Sequence, residues 1–92
     1  MPKVVVTAQI EDPVKWEQGF RTRGELFRSQ TVTKPIHFAI ADGNRVAVCF
    51  EPEDIATWLK ILDSPVTAEA MKGDGVKRET VQVYVLDKEF RP

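Results

Sequence analysis

Alternation of apolar and polar residues predicts four β-strands in this chain. The first covers residues 3–10, which are rich in β-branched side chains and precede an acidic pair and a proline. A period of two returns over residues 33–41 and 45–51, and the turn-forming residues 42–44 between these segments predict an antiparallel hairpin. The last alternating segment, 81–86, predicts the fourth strand.

A helical period predicts one helix between the first two strands. Asp12 has the residue type of an N-cap and Pro13 that of a first helical residue. The pattern continues to about residue 29 and aligns three aromatic side chains on one buried stripe, namely Trp16, Phe20 and Phe27. Gly19 and Gly24 lie inside this helix, where each costs about 1 kcal/mol relative to Ala. They indicate either close packing or access beneath the helix.

A second helical region follows the hairpin. Residues 52–54 open it with acidic side chains, and its apolar positions repeat at i, i+3, i+4 and i+7, as Ile55, Trp58, Leu59 and Leu62. Ser64 and Pro65 have the residue types of a new cap and first turn, so a break near Ser64 and a further helical piece to Lys72 are predicted. The glycines of 73–75 end it.

The resulting order, βαββαβ, is typical of the ferredoxin-like sandwich, an α+β fold with an antiparallel four-stranded sheet and its helices on one face. No repeat or linker divides the chain, so residues 1–92 are predicted to form a single domain. One sheet face is apolar at every position and is predicted to carry the helices. It comprises Val4, Val6, Ala8, Ile10, Ile36, Phe38, Ile40, Val46, Val48, Phe50, Val81, Val83 and Val85.

The opposite sheet face mixes small, apolar and hydrogen-bonding side chains, with no Lys or Arg at its centre. An exposed face is normally richer in charge, and the chain has no further element to cover it. A second copy is therefore the predicted cover, which gives a homodimer that closes into a dimeric α/β barrel. The residues of this face are Val5, Thr7, Gln9, His37, Ala39, Ala41, Ala47, Cys49, Gln82, Tyr84 and Leu86.

The amino-acid composition limits the classes of partner and cofactor that this protein is expected to bind. Thirteen Lys and Arg against fourteen Asp and Glu give a net charge of -1, without the basic block that binding to nucleic acid requires. A single Cys and a single His cannot provide a disulfide or a structural zinc site, and no metal or other cofactor is predicted. No segment has the pattern of a signal peptide or membrane span, so a cytoplasmic protein without membrane contact is expected.

Other functions of the βαββαβ fold need chemistry that this sequence lacks. RNA-recognition domains carry paired aromatics on a central strand, whereas residues 45–50 contain one aromatic residue. Copper chaperones need a C-x-x-C loop, and the chain has one cysteine. An acylphosphatase needs a glycine-rich anion loop after the first strand, where this chain has Glu11 and Asp12. These three functions are excluded.

Polar residues between the two predicted sheets indicate a small-molecule site. His37 is a candidate general acid or base, or an interface histidine. Tyr84 is a candidate donor to a developing oxyanion, or an aromatic anchor at the dimer interface. Thr7, Gln9 and Gln82 are candidate substrate-binding residues, because a purely structural interface needs fewer polar groups.

Two further candidates come from the helices. Arg23 aligns with the aromatic stripe, where it is predicted to lie over aromatic rings and bind an anionic substrate, or to pair with a nearby carboxylate. Trp58 either belongs to the core or lines the pocket mouth. Cys49 is interpreted as a small core residue, since no basic neighbour in the sequence lowers the pKa of its thiol.

Three features resemble the dimeric α/β-barrel superfamily: the element order, the pattern Asp12-Pro13-x-x-Trp16-x-x-x-Phe20, and the segments 64–71 and 75–76 before the last strand. The chain is similar to small proteins near the antibiotic-biosynthesis monooxygenases. This resemblance implies the fold, dimerisation and a monooxygenase-like activity on an aromatic or polyketide-like substrate without a cofactor. A noncatalytic ligand-binding or structural dimer of the same fold is the alternative, and the sequence leaves catalysis open.

Overall fold

The predicted strands pair into one antiparallel sheet in the computed structural model, which describes residues 3–92. The ferredoxin-like α+β fold is confirmed, with four helical pieces where two longer helical regions were predicted. The elements in chain order are β1 (Lys3–Ile10), α1 (Pro13–Phe20), α2 (Gly24–Ser29), β2 (His37–Ala41), β3 (Arg45–Phe50), α3 (Ile55–Leu62), α4 (Pro65–Gly73) and β4 (Val76–Leu86).

The sheet has the strand order β2-β3-β1-β4, so β1 and β3 are central. Val4 pairs with Phe50 on one side and Val85 on the other, and Val6 pairs with Val48 and Val83. These pairs place the apolar alternate residues of neighbouring strands on the same face, as predicted. The core forms there, and it includes both tryptophans, Trp16 and Trp58.

Side-chain caps fix the predicted helix starts. Asp12 Oδ1 accepts from the backbone N–H of Val14 at 2.9 Å and of Lys15 at 3.3 Å. Asp54 Oδ1 accepts from the N–H of Thr57 at 3.2 Å, and this hydrogen bond lowers the pKa of the Asp54 carboxyl. The predicted break near Ser64 is confirmed, because α3 ends at Leu62 and Ser64 caps α4.

The first helical region is not one helix, contrary to the sequence prediction. It breaks at residues 21–23, where Thr22 turns back on α1. The backbone N–H of Thr22 donates to the carbonyl of Gly19 at 2.9 Å, and the Thr22 hydroxyl donates to the same oxygen at 2.6 Å. Such local side-chain bonds compete with helical hydrogen bonding. The aromatic stripe nevertheless survives, since the ring centroids of Phe20 and Phe27 are 5.0 Å apart across the break.

Two strand boundaries also differ from the prediction. β2 begins at His37, four residues later than predicted, and only Val32 bridges to Pro52 in the preceding segment. β4 begins at Val76, five residues earlier than predicted, because its polar first half pairs with the end of β1. The register of the β1–β4 pairing shifts between Thr7 and Gln9, and the two strands continue to pair beyond this irregularity.

None of the helices within residues 3–92 combines the length and the apolar character needed to cross a lipid bilayer.

Candidate functional site

The structure places the seven predicted site residues on two opposite sides of the sheet. Five lie on strand positions of the open face, which no helix of residues 3–92 covers: Thr7, Gln9, His37, Gln82 and Tyr84. The other two, Arg23 and Trp58, lie on the helix side and line a cavity between the helices and the sheet. One small molecule cannot contact both sets within a single protomer.

On the open face, His37 and Tyr84 occupy the two ends of one cross-strand row. His37 pairs with Cys49, Cys49 with Val5, and Val5 with Tyr84. Three strand spacings of about 4.8 Å separate the ends by about 14 Å. The two candidate catalytic residues therefore cannot act on the same small group within one protomer.

The next row of the open face contains small and neutral residues. Ala39 pairs with Ala47, Ala47 with Thr7, and Thr7 with Gln82. The hydroxyl of Tyr84 donates to the amide oxygen of Gln82 at 2.5 Å, and 49% of Tyr84 is exposed in the isolated protomer. The centre of this face thus presents a surface without charge to its surroundings.

The helix-side cavity has a volume of about 90 Å³ and largely apolar walls. Its aromatic wall is continuous, because neighbouring ring centroids are 4.8 to 5.6 Å apart along the series Trp16, Phe20, Phe27, Phe50 and Trp58. Valines of the central strands also line the cavity. Such a lining suits a small apolar or aromatic ligand.

Trp58 contributes an unsatisfied donor to this region. The residue is 1% exposed, and its indole Nε1 has no hydrogen-bond partner within residues 3–92. Buried polar atoms in folded proteins usually have a partner, so this N–H is an exception that needs an explanation. The prediction that Trp58 belongs to the core is confirmed, because it is 1% exposed and part of the core cluster, and it also lines the helix-side cavity. Its alternative place at the mouth of a barrel pocket stays a prediction.

Gln30 and Thr67 are buried polar residues of the same cavity. The hydroxyl of Thr67 donates to the carbonyl of Ile61 at 2.6 Å, and the amide of Gln30 donates to Thr67 Oγ1 at 3.4 Å. Gln30 gives no signal in the sequence, because a lone glutamine near the end of a predicted helix normally lies on a solvated surface.

An ion pair between Arg23 and Asp74 forms the charged part of the cavity lining. Arg23 Nη2 lies 2.8 Å from Asp74 Oδ1, and Arg23 Nε donates to Oδ2 at 3.2 Å. This hydrogen bonding raises the pKa of Arg23. Of the two alternatives predicted for Arg23, the structure has the carboxylate pair. The cation over an aromatic ring is instead Arg21, whose Cζ lies 5.4 Å from the centroid of Phe38.

Asp74 was missed as a candidate because it lies between two glycines that end α4, which identifies a turn and not a site. It is 51 residues from Arg23 in the chain, so only folding brings the two together. Glycine also allows this contact: a Cβ at Gly19 would lie 2.0 Å from Asp74 Oδ1. The close packing that was one interpretation of Gly19 is therefore present.

Within residues 3–92, no three or more His, Cys, Asp or Glu side chains form a group that could hold a metal ion. The single cysteine, Cys49, lies on β3 as a half-buried free thiol.

Comparison with known proteins gives agreement in fold. No protein-family model matches the chain, and no curated protein matches its sequence significantly. A candidate antibiotic biosynthesis monooxygenase from Bordetella bronchiseptica superimposes with a TM-score of 0.71 at 15% identity, covering 97% of both chains. SnoaB of Streptomyces nogalater, described as a cofactor-independent oxygenase, gives 0.66 at 13% identity over 98% of this chain and 93% of its own. A protein of Arabidopsis thaliana gives 0.68 at 15% identity over 100% and 99%.

These likenesses confirm the fold that the sequence resemblance implied. At such low sequence identities, these likenesses show the fold alone. The chemistry of this protein depends on its own residues.

Proposed function

We propose that this protein is a homodimer that binds a small aromatic molecule in the helix-side cavity of each protomer. The observation that carries the proposal is the buried, unpartnered N–H of Trp58 in a residue that lines an apolar cavity. An acceptor on a bound ligand would satisfy this donor, and aromatic walls favour a flat ligand. The polar groups of Gln30 and Arg23 offer further contacts at the same cavity.

Cavity size limits the ligand. An engineered cavity of about 150 Å³ in another protein holds one benzene molecule, and the cavity here is smaller, at about 90 Å³. One ring can enter with a modest outward shift of flexible half-buried side chains such as Leu26 and Met71, which form part of the wall. We therefore favour a single-ring compound over a polycyclic polyketide.

The open sheet face supports dimerisation. Its centre carries no charge, its apolar Leu86 is 51% exposed, and the helices of residues 3–92 pack on the other face. A second copy of the chain offers an equivalent surface, which is the usual arrangement of a two-fold interface. In that dimer the polar residues of the open face would lie between the sheets. His37 and Tyr84 remain predicted candidates for proton transfer there, with Thr7, Gln9 and Gln82 as predicted ligand contacts, but only for a second molecule between the sheets, because none of these five residues lines the helix-side cavity.

For the reaction we propose oxygenation of an electron-rich ring without metal or flavin. The fold likeness to SnoaB supports this choice, and the ring itself would supply the electrons that reduce dioxygen. We expect chelator-treated protein to accelerate oxygen uptake in the presence of a polyhydroxylated single-ring compound, as measured with an oxygen electrode. Binding of such compounds without faster uptake would instead support the noncatalytic ligand-binding dimer.

Ala70→Leu is expected to abolish ligand binding while the protein stays folded. Ala70 is half-buried on α4 and lines the cavity, so the added carbons would occupy the space of the ligand. Titration with nitrobenzene, followed by quenching of the fluorescence of Trp16 and Trp58, measures the affinity directly. Trp58→Phe should keep the ring wall but weaken nitrobenzene binding several-fold, because the donor is lost.

The control for this experiment is Ala56→Leu, which adds the same carbons to an exposed position on α3. It should leave the titration unchanged. Equal quenching by nitrobenzene in wild type and Ala70→Leu would exclude the helix-side cavity as the binding site.

A further inference from the structure

The Arg23–Asp74 pair combines burial with unused hydrogen-bonding capacity. Asp74 is 7% exposed and Arg23 lies half-buried beside it. Both line the cavity, and no other charged side chain within the described residues does so. The pair is thus the charged group available to a ligand in this cavity.

Asp74 can accept more hydrogen bonds than it receives. A carboxylate offers about four acceptor positions. Arg23 supplies one N–H to each oxygen of Asp74, and no other residue within 3–92 donates to this side chain. Because Asp74 lines the cavity and is largely shielded from bulk water, a molecule in the cavity is the available partner for this capacity.

Arg23 likewise has donors to spare. Its Nε and Nη2 bond to Asp74, and Nη2 also approaches the carbonyl of Ala70 at 3.5 Å. Nη1 makes no hydrogen bond to the residues that the structure describes. The pair therefore presents an acceptor and a donor side by side.

The position of the carboxylate is fixed by packing. Asp74 Oδ1 lies so close to Gly19 of α1 that a Cβ at this position would overlap the carboxylate. The Arg23 guanidinium in turn lies so close to Gly73 that a Cβ there would approach Nη2 to 3.2 Å. A carboxylate held by an ion pair and by close packing against a helix can select a ligand by the placement of one polar atom.

We propose that the Arg23–Asp74 pair selects ring compounds that carry a hydroxyl group, and that it binds them in the neutral form. The ring hydroxyl donates to Asp74, while a phenolate in the same place would lack that proton and face a like charge. This inference rests on the proposed function, since it assigns the polar end of the ligand in the same cavity. Asp74 is the specificity-determining residue, and Arg23 positions it.

The test compares two probes of nearly equal shape, nitrobenzene and 4-nitrophenol, which ionises near neutrality to a coloured phenolate. With wild-type protein at a pH below the pKa of 4-nitrophenol, we expect 4-nitrophenol to bind about tenfold more tightly than nitrobenzene. At a pH above this pKa, the affinity for 4-nitrophenol should fall. The ionisation of the bound probe, measured by its absorbance, should occur at a higher pH than that of the free probe. This comparison needs no variant.

Asp74→Asn should reverse the preference between the two forms of the probe. Arg23 loses its carboxylate and becomes free to pair with the phenolate, so the bound probe should ionise at lower pH than the free probe. Nitrobenzene binding to the same variant reports whether its cavity is intact. The matched control is Glu17→Gln, which removes the carboxylate of the exposed Arg21–Glu17 pair at 2.9 Å outside the cavity and should change nothing.

The outcomes separate the two proposals. If neither probe binds to wild type, the proposed function fails. If both bind equally well, or if the wild type prefers the phenolate, the cavity is a ligand site but the selection by Asp74 is wrong. If the Asp74→Asn protein does not bind nitrobenzene, its cavity is no longer intact. The comparison of the two probes on wild-type protein then tests the selection by Asp74 on its own.

Discussion

Gly19→Ala is expected to destabilise the fold by about 2 kcal/mol or more, although alanine is the better helix former by about 1 kcal/mol. The added Cβ would lie 2.0 Å from Oδ1 and 2.6 Å from Cγ of Asp74. Overpacking of this kind typically costs about 1–3 kcal/mol. Relief requires Asp74 to move away from α1, which breaks its bonds to Arg23 and leaves a buried carboxylate unpaired. A fall of roughly 8–16 °C in Tm should follow.

The adjacent helix provides the control. A Cβ at Gly24 would meet only the flexible end of Arg28, at 3.4 Å, so Gly24→Ala should be neutral or stabilising by up to about 1 kcal/mol. Thermal unfolding of the two variants should therefore shift in opposite directions. In the double variant with Asp74→Ala, Gly19→Ala should cost much less, since the clash is gone. A Gly19→Ala protein as stable as wild type would refute the close packing described here.

Ala47→Lys is expected to convert the proposed dimer into a monomer. Ala47 lies at the centre of the open face between Thr7 and Ala39, and it is exposed in the isolated protomer. In a monomer the lysine is solvated and harmless. In a two-fold dimer each interface would bury two unpaired ammonium groups, which costs several kcal/mol and lowers the dimer affinity at least about 100-fold.

Native mass spectrometry and sedimentation at micromolar concentration measure this directly. The control is Ala56→Lys, which places the same charge on the exposed side of α3 and should leave the dimer intact. A wild-type protein that sediments as a monomer would contradict the proposal that a second copy covers the open face. An Ala47→Lys protein that remains a dimer would mean that the chains associate through another surface.

Prediction from the sequence succeeded where the deciding interactions are local. The N-caps Asp12 and Ser64 bond to backbone groups two or three residues ahead, so their spacing in the chain is sufficient to identify them, whereas Asp54, predicted to lie in a first turn, is instead the N-cap of α3. The two faces of the sheet also follow from alternation alone, because successive side chains of a strand point in opposite directions.

Prediction failed where a distant segment decides the local structure. The first half of β4 carries Lys77, Arg78 and Glu79, which give no strand pattern, and it becomes a strand by pairing with the end of β1. The helix break at residues 21–23 interrupts an unbroken amphipathic pattern, and it coincides with the reach of Arg23 to Asp74.

The placement of the candidate site divides in the same way. The amino-acid sequence by itself determined the four strands, the composition of their two faces and the presence of an aromatic stripe, since these depend on periods of two and 3.6 residues. Only the tertiary structure decided that Arg23 and Trp58 share a cavity on one side of the sheet while His37 and Tyr84 stand about 14 Å apart on the other. Which side chains meet depends on strand order, register and helix packing, and these arise from contacts between residues far apart in the chain.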